Sequence, residues 1–382
     1  MNESTEKKFL IVAGEASGDL HGADLVTHLR TLYPNSQFFG VGGKRMRDAG
    51  VTTFFDIARM GTVGFLEAIA EMPMYLKIYR TLVREIRQGQ YTALILIDYP
   101  TLNLLLAKKS KSVSCPVFYF ISPQIWAWRK GRIDKIKERV TRMFVVLPFE
   151  KELYDRAGVD AQFLGHPFAD QVKLSMTKEE AVVKFDLKPG VRTIGLLPGS
   201  RKNEIDSLLT VMLEAGEQIK KQMPDCQFIL PVAGTIDVDY IRNRVADNSL
   251  EVRIVEGQSY DVMHCCDFLI MASGSSTLEA GILMRPMVIV YKVKRITYWI
   301  AKLLVEIKMV GLINIVAGEK LAPELIQGQV TADNIARESL KILNDPKRYQ
   351  EVQDKMQKIQ QALGEPGVMR RVAQSIFDRL QN

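Results

Sequence analysis

Asp98 closes the apolar run ALILI and precedes Tyr99-Pro100. A carboxylate at the end of a buried strand is costly unless it is hydrogen-bonded or functional. It either caps the following helix, a task for which Thr101 and Asn103 compete, or acts as a general base toward an attacking hydroxyl. Glu15 and Asp19 lie in GEASGD at 14–19, just after a first apolar run from Phe9. Asp19 suits a first-turn cap. Glu15, an acid at a strand tip, has less structural excuse. His166, in GHPF, could meet a leaving-group oxygen or order a hinge loop, since imidazole both donates and accepts. These three, Glu15, Asp98 and His166, are the candidate catalytic residues.

A second group suits an anion. LPGSR at 197–201 puts Gly199 and Ser200 at a helix start, and Arg201 adds a fork of donors suited to a diphosphate. Glu204 follows and either belongs to that site or simply orients Arg201. SGSSTLEAG at 273–281 offers Ser273, Ser275, Ser276 and Thr277 to phosphate, while Glu279 could accept both hydroxyls of a ribose or complement a helix dipole. Residues 257–263 could line a base pocket. SPQIWAWRKGR at 122–132 offers Ser122 and Gln124 for ligand contact, with Trp126 and Trp128 better read as packing. Arg129, Lys130 and Arg132 suit phosphate or a solvated helix face. GEASGD is neither GxGxxG nor a P-loop, so it supports neither dinucleotide nor P-loop binding.

These residues follow strand-like runs. The runs are ALILID at 93–98, VFYFI at 117–121, MFVVL at 143–147, FILPV at 228–232, VRIVE at 252–256, FLIM at 268–271 and MVIVY at 287–291. Helical patterns separate them, and FLIVAGEASGD and TIGLLPGSR share one grammar of strand, small-residue turn and helix. This predicts two α/β domains with parallel sheets and ligands at the carboxyl ends of the strands. The expected division is 1–175, 190–345 and a helical tail at 346–382, with the polar stretch 175–190 as the boundary.

Composition bounds the rest. The 382 residues are 47% hydrophobic and 25% charged, enough for two to three cored domains at ~150 residues each. Four cysteines and four histidines show no metal spacing, so neither a disulfide framework nor a protein-built metal site is expected. The +7 balance permits anionic partners, but no concentrated basic-aromatic motif points to nucleic acid. The opening MNESTEKKF lacks signal-peptide features, and no apolar run is long enough to span a bilayer. Two stretches, 60–83 and 290–311, mix apolar faces with cations and suit either an anionic bilayer interface or ordinary packing. The first is read as membrane or lipid-substrate contact.

The ordered set AGEASGD at 13–19, IDYP at 97–100, SPQIWAWR at 122–129, LPFE at 147–150, GHP at 165–167, LPGSR at 197–201 and SGSSTLE at 273–279 resembles the lipid-A-disaccharide synthase family nearly end to end. LINIVAG at 312–318 resembles that family's Asn-bearing loop. The resemblance implies a GT-B fold, two facing Rossmann-like domains, with a C-terminal helical segment returning to the N-terminal domain or to a partner subunit. It implies inverting transfer from UDP-2,3-diacylglucosamine to 2,3-diacylglucosamine 1-phosphate, giving a β-1,6 disaccharide 1-phosphate and UDP. Asp98 would then be the base toward the acceptor 6-hydroxyl. Arg201 and the serine-rich loop would hold the diphosphate, Glu279 the ribose, and Asn314 would sit on the nucleotide side. No cofactor or metal is implied. The expected partners are the two acylated sugars, a phospholipid surface on the cytoplasmic face of the inner membrane, and a second copy exchanging C-terminal segments. Tyr99 is bulkier than the family's usual residue after the acid. The competing classes are a sugar-nucleotide epimerase of the same two-domain plan and a lipid or nucleotide sensor.

Overall fold

The computed structural model describes residues 6–57, 72–127, 131–294 and 309–381. Two units emerge: residues 1–170 with 363–382, and residues 171–362. Each is a parallel sheet flanked by helices, the two-Rossmann plan of a GT-B fold.

The sheet of the first unit holds β1 (Lys8–Ala13), β2 (Gln37–Gly42), β3 (Thr52–Asp56), β4 (Ala93–Ile97), β5 (Val117–Phe120), β6 (Arg142–Val145) and β7 (Ala161–Phe163). Their order is β3-β2-β1-β4-β5-β6-β7. The runs FLIVA and ALILI are buried throughout because helices cover both faces of a parallel sheet. The order reverses between β1 and β4, where Ala13 pairs with Ile97. Glu15 and Asp98 therefore follow adjacent strand ends at the switch point, where such sheets bind ligands.

The second unit holds β8 (Arg192–Leu197), β9 (Cys226–Val232), β10 (Val252–Glu256), β11 (Phe268–Ala272), β12 (Met287–Tyr291) and β13 (Glu324–Ile326), ordered β10-β9-β8-β11-β12-β13. Its switch point lies between β8 and β11, with Leu197 paired to Met271. The LPGSR and SGSST turns leave from these two ends. The repeated grammar in the sequence thus reports one topological device used twice.

The chain leaves the first unit at Asp170, ahead of the polar stretch 175–190. That stretch folds into the second unit as the helix Lys178–Lys184, with Thr177 and Glu180 forming a reciprocal capping box. Ser175 donates from its amide and hydroxyl to buried Asp261. The expected tail also divides. The helix Pro346–Ala362 stays with the second unit, and the helix Val368–Gln381 returns to the first. There Val368, Val372 and Ile376 pack in one core with Phe9, Leu25 and Leu29. Asp170 accepts from the amides of Gly367 (2.6 Å) and Val368 (2.9 Å), so its charge caps the returning helix.

Candidate active site

In the first unit the geometry centres on Asp98. Asp98 and Tyr99 both adopt φ of 48°, two consecutive left-handed residues without glycine. Such backbone costs ~1–3 kcal/mol per residue and persists only where its surroundings enforce it. Here the enforcers are identifiable. Fully buried Asn103 donates from Nδ2 to the carbonyls of Ile97 (3.2 Å) and Asp98 (2.6 Å). The Tyr119 hydroxyl donates to the same Asp98 carbonyl at 2.6 Å, and the Asp98 amide donates to Phe120. Asn103, weighed against Asp98 as a helix cap, instead ties down the backbone that carries Asp98. Tyr99, not Asp98, holds the cap position of the helix Pro100–Lys111, and the Asp98 carboxyl accepts from the Tyr99 amide. Burial raises its carboxyl above the usual range, and the neighbouring Glu15 charge raises it further. Glu15 occupies the cap position of the helix Ala16–Leu32 without a side-chain cap bond.

The two strand ends are also joined sterically. A Cβ on Gly14 would lie 2.3 Å from Tyr99 Cγ, so the Tyr99 ring lies against a position that tolerates only glycine. Asp19 does something else. Its carboxylate accepts from the amides of Gly43, Arg45 and Met46 and caps the helix Lys44–Asp48, not its own.

His166 sits away from this acid pair in chemistry. Its Nδ1 accepts from the Phe168 amide at 3.1 Å, and its own amide donates to Leu363 where the tail returns. Burial and the nearby His21 push it down to about 3, and burial pushes His21 down to about 4. Burial thus favours the neutral rings, and with Nδ1 of His166 accepting, its ring proton lies on Nε2, the one nitrogen that could donate to a leaving-group oxygen. Ser122 is equally committed, with its hydroxyl against Tyr154 (2.7 Å) and the Pro123 carbonyl. Trp126 packs edge-on against Phe149 and donates to Glu150. Trp128, Arg129 and Lys130 lie outside the described residues, as do 58–71 and 295–308 of the two amphipathic stretches.

In the second unit a cavity of ≈ 350 Å³ opens at the ends of β8, β9 and β11. It gathers Gly199, Ser200, Arg201, Glu204, Ser273, Ser275, Ser276 and Glu279, joined by Ser259 and Met263 from the segment read as a base pocket. The site groups differ in freedom. Glu204 folds back and accepts from the amides of Ser200 (3.0 Å) and Arg201 (3.2 Å). Two donors expected for an anion are therefore filled by the protein's own carboxylate. Gly199, at φ 115°, is required because a Cβ there would meet that carboxylate at 2.3 Å. Arg201 remains largely exposed, 3.5 Å from Glu204, and free to turn to a ligand.

The serine-rich loop divides in the same way. Ser273 donates its hydroxyl to Val310, and buried Thr277 donates to Gly274 while accepting from Ile313. These two hold the loop. Ser275 and Ser276 line the cavity with hydroxyls that have no protein partner among the described residues. Asn314 is fully buried and does not line the cavity. Its amide bonds Ala322 twice at 2.8 Å and Glu324 at 2.9 Å. Glu324 also accepts from the amides of Val310 and Gly311. Asn314 and Glu324 are thus struts behind the loop that Ser273 anchors. Glu279 faces the cavity half-buried, raised by burial, and accepts from Tyr260 at 3.1 Å. Glu324 escaped the sequence reading because it acts on a loop distant in the chain, and Tyr260, within 257–263, meets Glu279 and does not line the cavity. Among the described residues no cluster of His, Cys, Asp or Glu could hold a metal.

Residues 9–376 match the family model described as lipid-A-disaccharide synthetase. The lipid-A-disaccharide synthase of Geobacter sulfurreducens is 44% identical over 380 residues, covering 100% of this chain and 99% of its own. That of Nitrosococcus oceani is 41% identical over 372 residues, covering 97% and 96%. Among solved structures, the UDP-GlcNAc 2-epimerase of Neisseria meningitidis bound to UDP-GlcNAc superposes with TM-score 0.65 at 12% identity, covering 97% of this chain and 100% of that one. The calicheamicin glycosyltransferase CalG4 does so at 0.60 and 14%, covering 99% of each. At such identities these structures speak for the fold alone.

Proposed function

This chain belongs to the lipid-A-disaccharide synthase family, and from that premise we propose that Asp98 is the general base of the glycosyl transfer it catalyses. The enzyme joins UDP-2,3-diacylglucosamine to 2,3-diacylglucosamine 1-phosphate, releasing UDP and the lipid A disaccharide 1-phosphate. The acceptor 6-hydroxyl attacks the anomeric carbon from the face opposite UDP. A C–O bond forms there, the bond to the diphosphate breaks, and Asp98 takes the hydroxyl proton. The observation carrying this reading is the left-handed Asp98–Tyr99 pair, whose backbone Asn103 and Tyr119 hold while the Asp98 carboxyl lies beside Glu15 at the switch point. Its raised affinity for a proton suits a base.

Glu15 tunes Asp98 through its charge. Arg201, Ser275 and Ser276 receive the diphosphate and stabilise the charge that grows on it. Glu279 takes the ribose. Ser200, Glu204, Ser273, Thr277 and Asn314 shape the loops around the nucleotide, and His166 orders the turn where the tail returns. The division is an acceptor-side first unit and a UDP-sugar second unit.

Peripheral membrane contact is supported by exposed Met72 and Leu76 on the helix Met72–Gln88 and Leu105 on the helix Pro100–Lys111, and the cytoplasmic face of the inner membrane follows from the family alone. Exposed Lys77, Arg80 and Arg84 accompany them. No described helix is long and apolar enough to cross a membrane. The returning helix Val368–Gln381 is the segment that two copies would exchange in a homodimer. The test is purified protein with UDP-2,3-diacylglucosamine, with and without the monosaccharide 1-phosphate and chelator. Disaccharide that needs both sugars and survives chelation supports the reading, and UDP-sugar epimerisation without acceptor contradicts it.

A further inference from the structure

Behind Glu279 stands a residue that the transfer itself leaves unused. After β10, Gly257 (φ 64°) and Gln258 (φ 52°) both turn left-handed before the helix Ser259–Cys265. Glycine takes this backbone freely, whereas Gln258 takes it at a cost. The turn delivers Ser259 and Met263 to the cavity lining. Tyr260, between them, does not line the cavity but donates its hydroxyl to Glu279 Oε1 at 3.1 Å. Among the described residues Oε2 of Glu279 accepts no hydrogen bond. A glutamate terminal torsion is broad and roughly two-fold, so an untethered carboxylate would sweep many orientations. One donor fixed on Oε1 gives the remaining lone pairs a set direction into the cavity. Burial disfavours the charged carboxylate, and the Tyr260 hydroxyl opposes that effect. A 1,2-diol offers two O–H donors, and an oriented ionised carboxylate is the acceptor that matches it.

We propose that Tyr260 is a positioning residue for ribose recognition, fixing the Glu279 carboxylate and so setting the preference for a nucleotide that carries the 2′,3′-diol. The inference rests on Glu279 being the ribose acceptor, and the test separates the two. Titration calorimetry of the full chain compares UDP with 2′,3′-dideoxy-UDP, for the native protein and for Tyr260→Phe. Hydrogen bonds to a charged group carry a tenfold preference or more, so the native protein should favour UDP by about tenfold or above. Tyr260→Phe should cut that ratio to about threefold or less, with dideoxy-UDP affinity changed by less than about twofold.

A native ratio near one overturns the ribose reading and this inference with it. A native preference kept intact in Tyr260→Phe overturns only the role of Tyr260, as does an equal loss of affinity for both nucleotides. A second readout follows from charge. The native preference should fade on the acid side as Glu279 takes a proton, and Tyr260→Phe should move that fading to higher pH. An unmoved midpoint contradicts the inference.

Discussion

Gly14→Ala probes the link between the two strand ends that carry Glu15 and Asp98. The added methyl would lie 2.3, 2.6 and 2.8 Å from Cγ, Cδ2 and Cβ of Tyr99. These are the methylene and the near ring atoms, so no flexible tip can yield. Relief needs a change in the Tyr99 rotamer or in its backbone, which sits at φ 48° and ψ 58° directly after Asp98. Overpacking of this kind costs about 1–3 kcal/mol, and a catalytic group displaced by ~1 Å can lose ~100-fold. Turnover should fall by about 10- to 100-fold. UDP affinity should stay within about twofold, because the cavity proposed for UDP is built wholly from the other unit. Tyr99→Gly removes these three nearest atoms and tolerates the left-handed backbone. Gly14→Ala with Tyr99→Gly should therefore turn over faster than Gly14→Ala alone. Steady-state kinetics with both acylated substrates, alongside UDP titration, measure this. Full activity in Gly14→Ala, or a loss that Tyr99→Gly does not relieve, refutes the steric coupling.

Three further outcomes follow. The Glu15 charge helps raise Asp98, so Glu15→Gln should lower the Asp98 pKa and move the acid limb of the pH–turnover profile to lower pH; a shift the other way contradicts the pairing. Tyr119→Phe removes one of two donors on the Asp98 carbonyl and should cost about 1 kcal/mol in chemical denaturation, with turnover reduced while UDP affinity holds. Asp170→Asn removes the charged cap of the returning helix, which should exchange amide hydrogens faster across Val368–Gln381 by roughly fivefold, as a ~1 kcal/mol cap implies.

The architecture was legible in the sequence because parallel strands buried on both faces read as continuous apolar runs, and because ALILID, FLIVAGE and IGLLPGS stop abruptly at small or acidic residues. Those stops fall at the switch points, so the place proposed for the site came with the strands. What did not come was the division of labour within each loop. Ser273 and Ser275 are the same residue type two positions apart, yet one hydroxyl is tied to Val310 and the other faces the cavity. Glu204 reads as a site acid but its partners are its own loop amides, a capping geometry whose S/T-x-x-E signature is missing because Arg201 holds the cap position. Asn314 likewise meets Glu324 and Ala322, contacts set by tertiary packing and invisible to local pattern. Asn103 shows the intermediate case. Its nearness to Asp98 was visible, but its target, the strained backbone and not the helix end, needed coordinates.

The most direct test of the account is a single-turnover measurement on Asp98→Asn with both acylated sugars, beside UDP binding to the same protein. The substitution keeps the side-chain shape and leaves the Asn103 and Tyr119 bonds, which go to the backbone, in place. The account predicts native UDP affinity and a rate reduced by about 100-fold or more, the scale of a lost general base. Disaccharide formed at near-native rate by Asp98→Asn would contradict it.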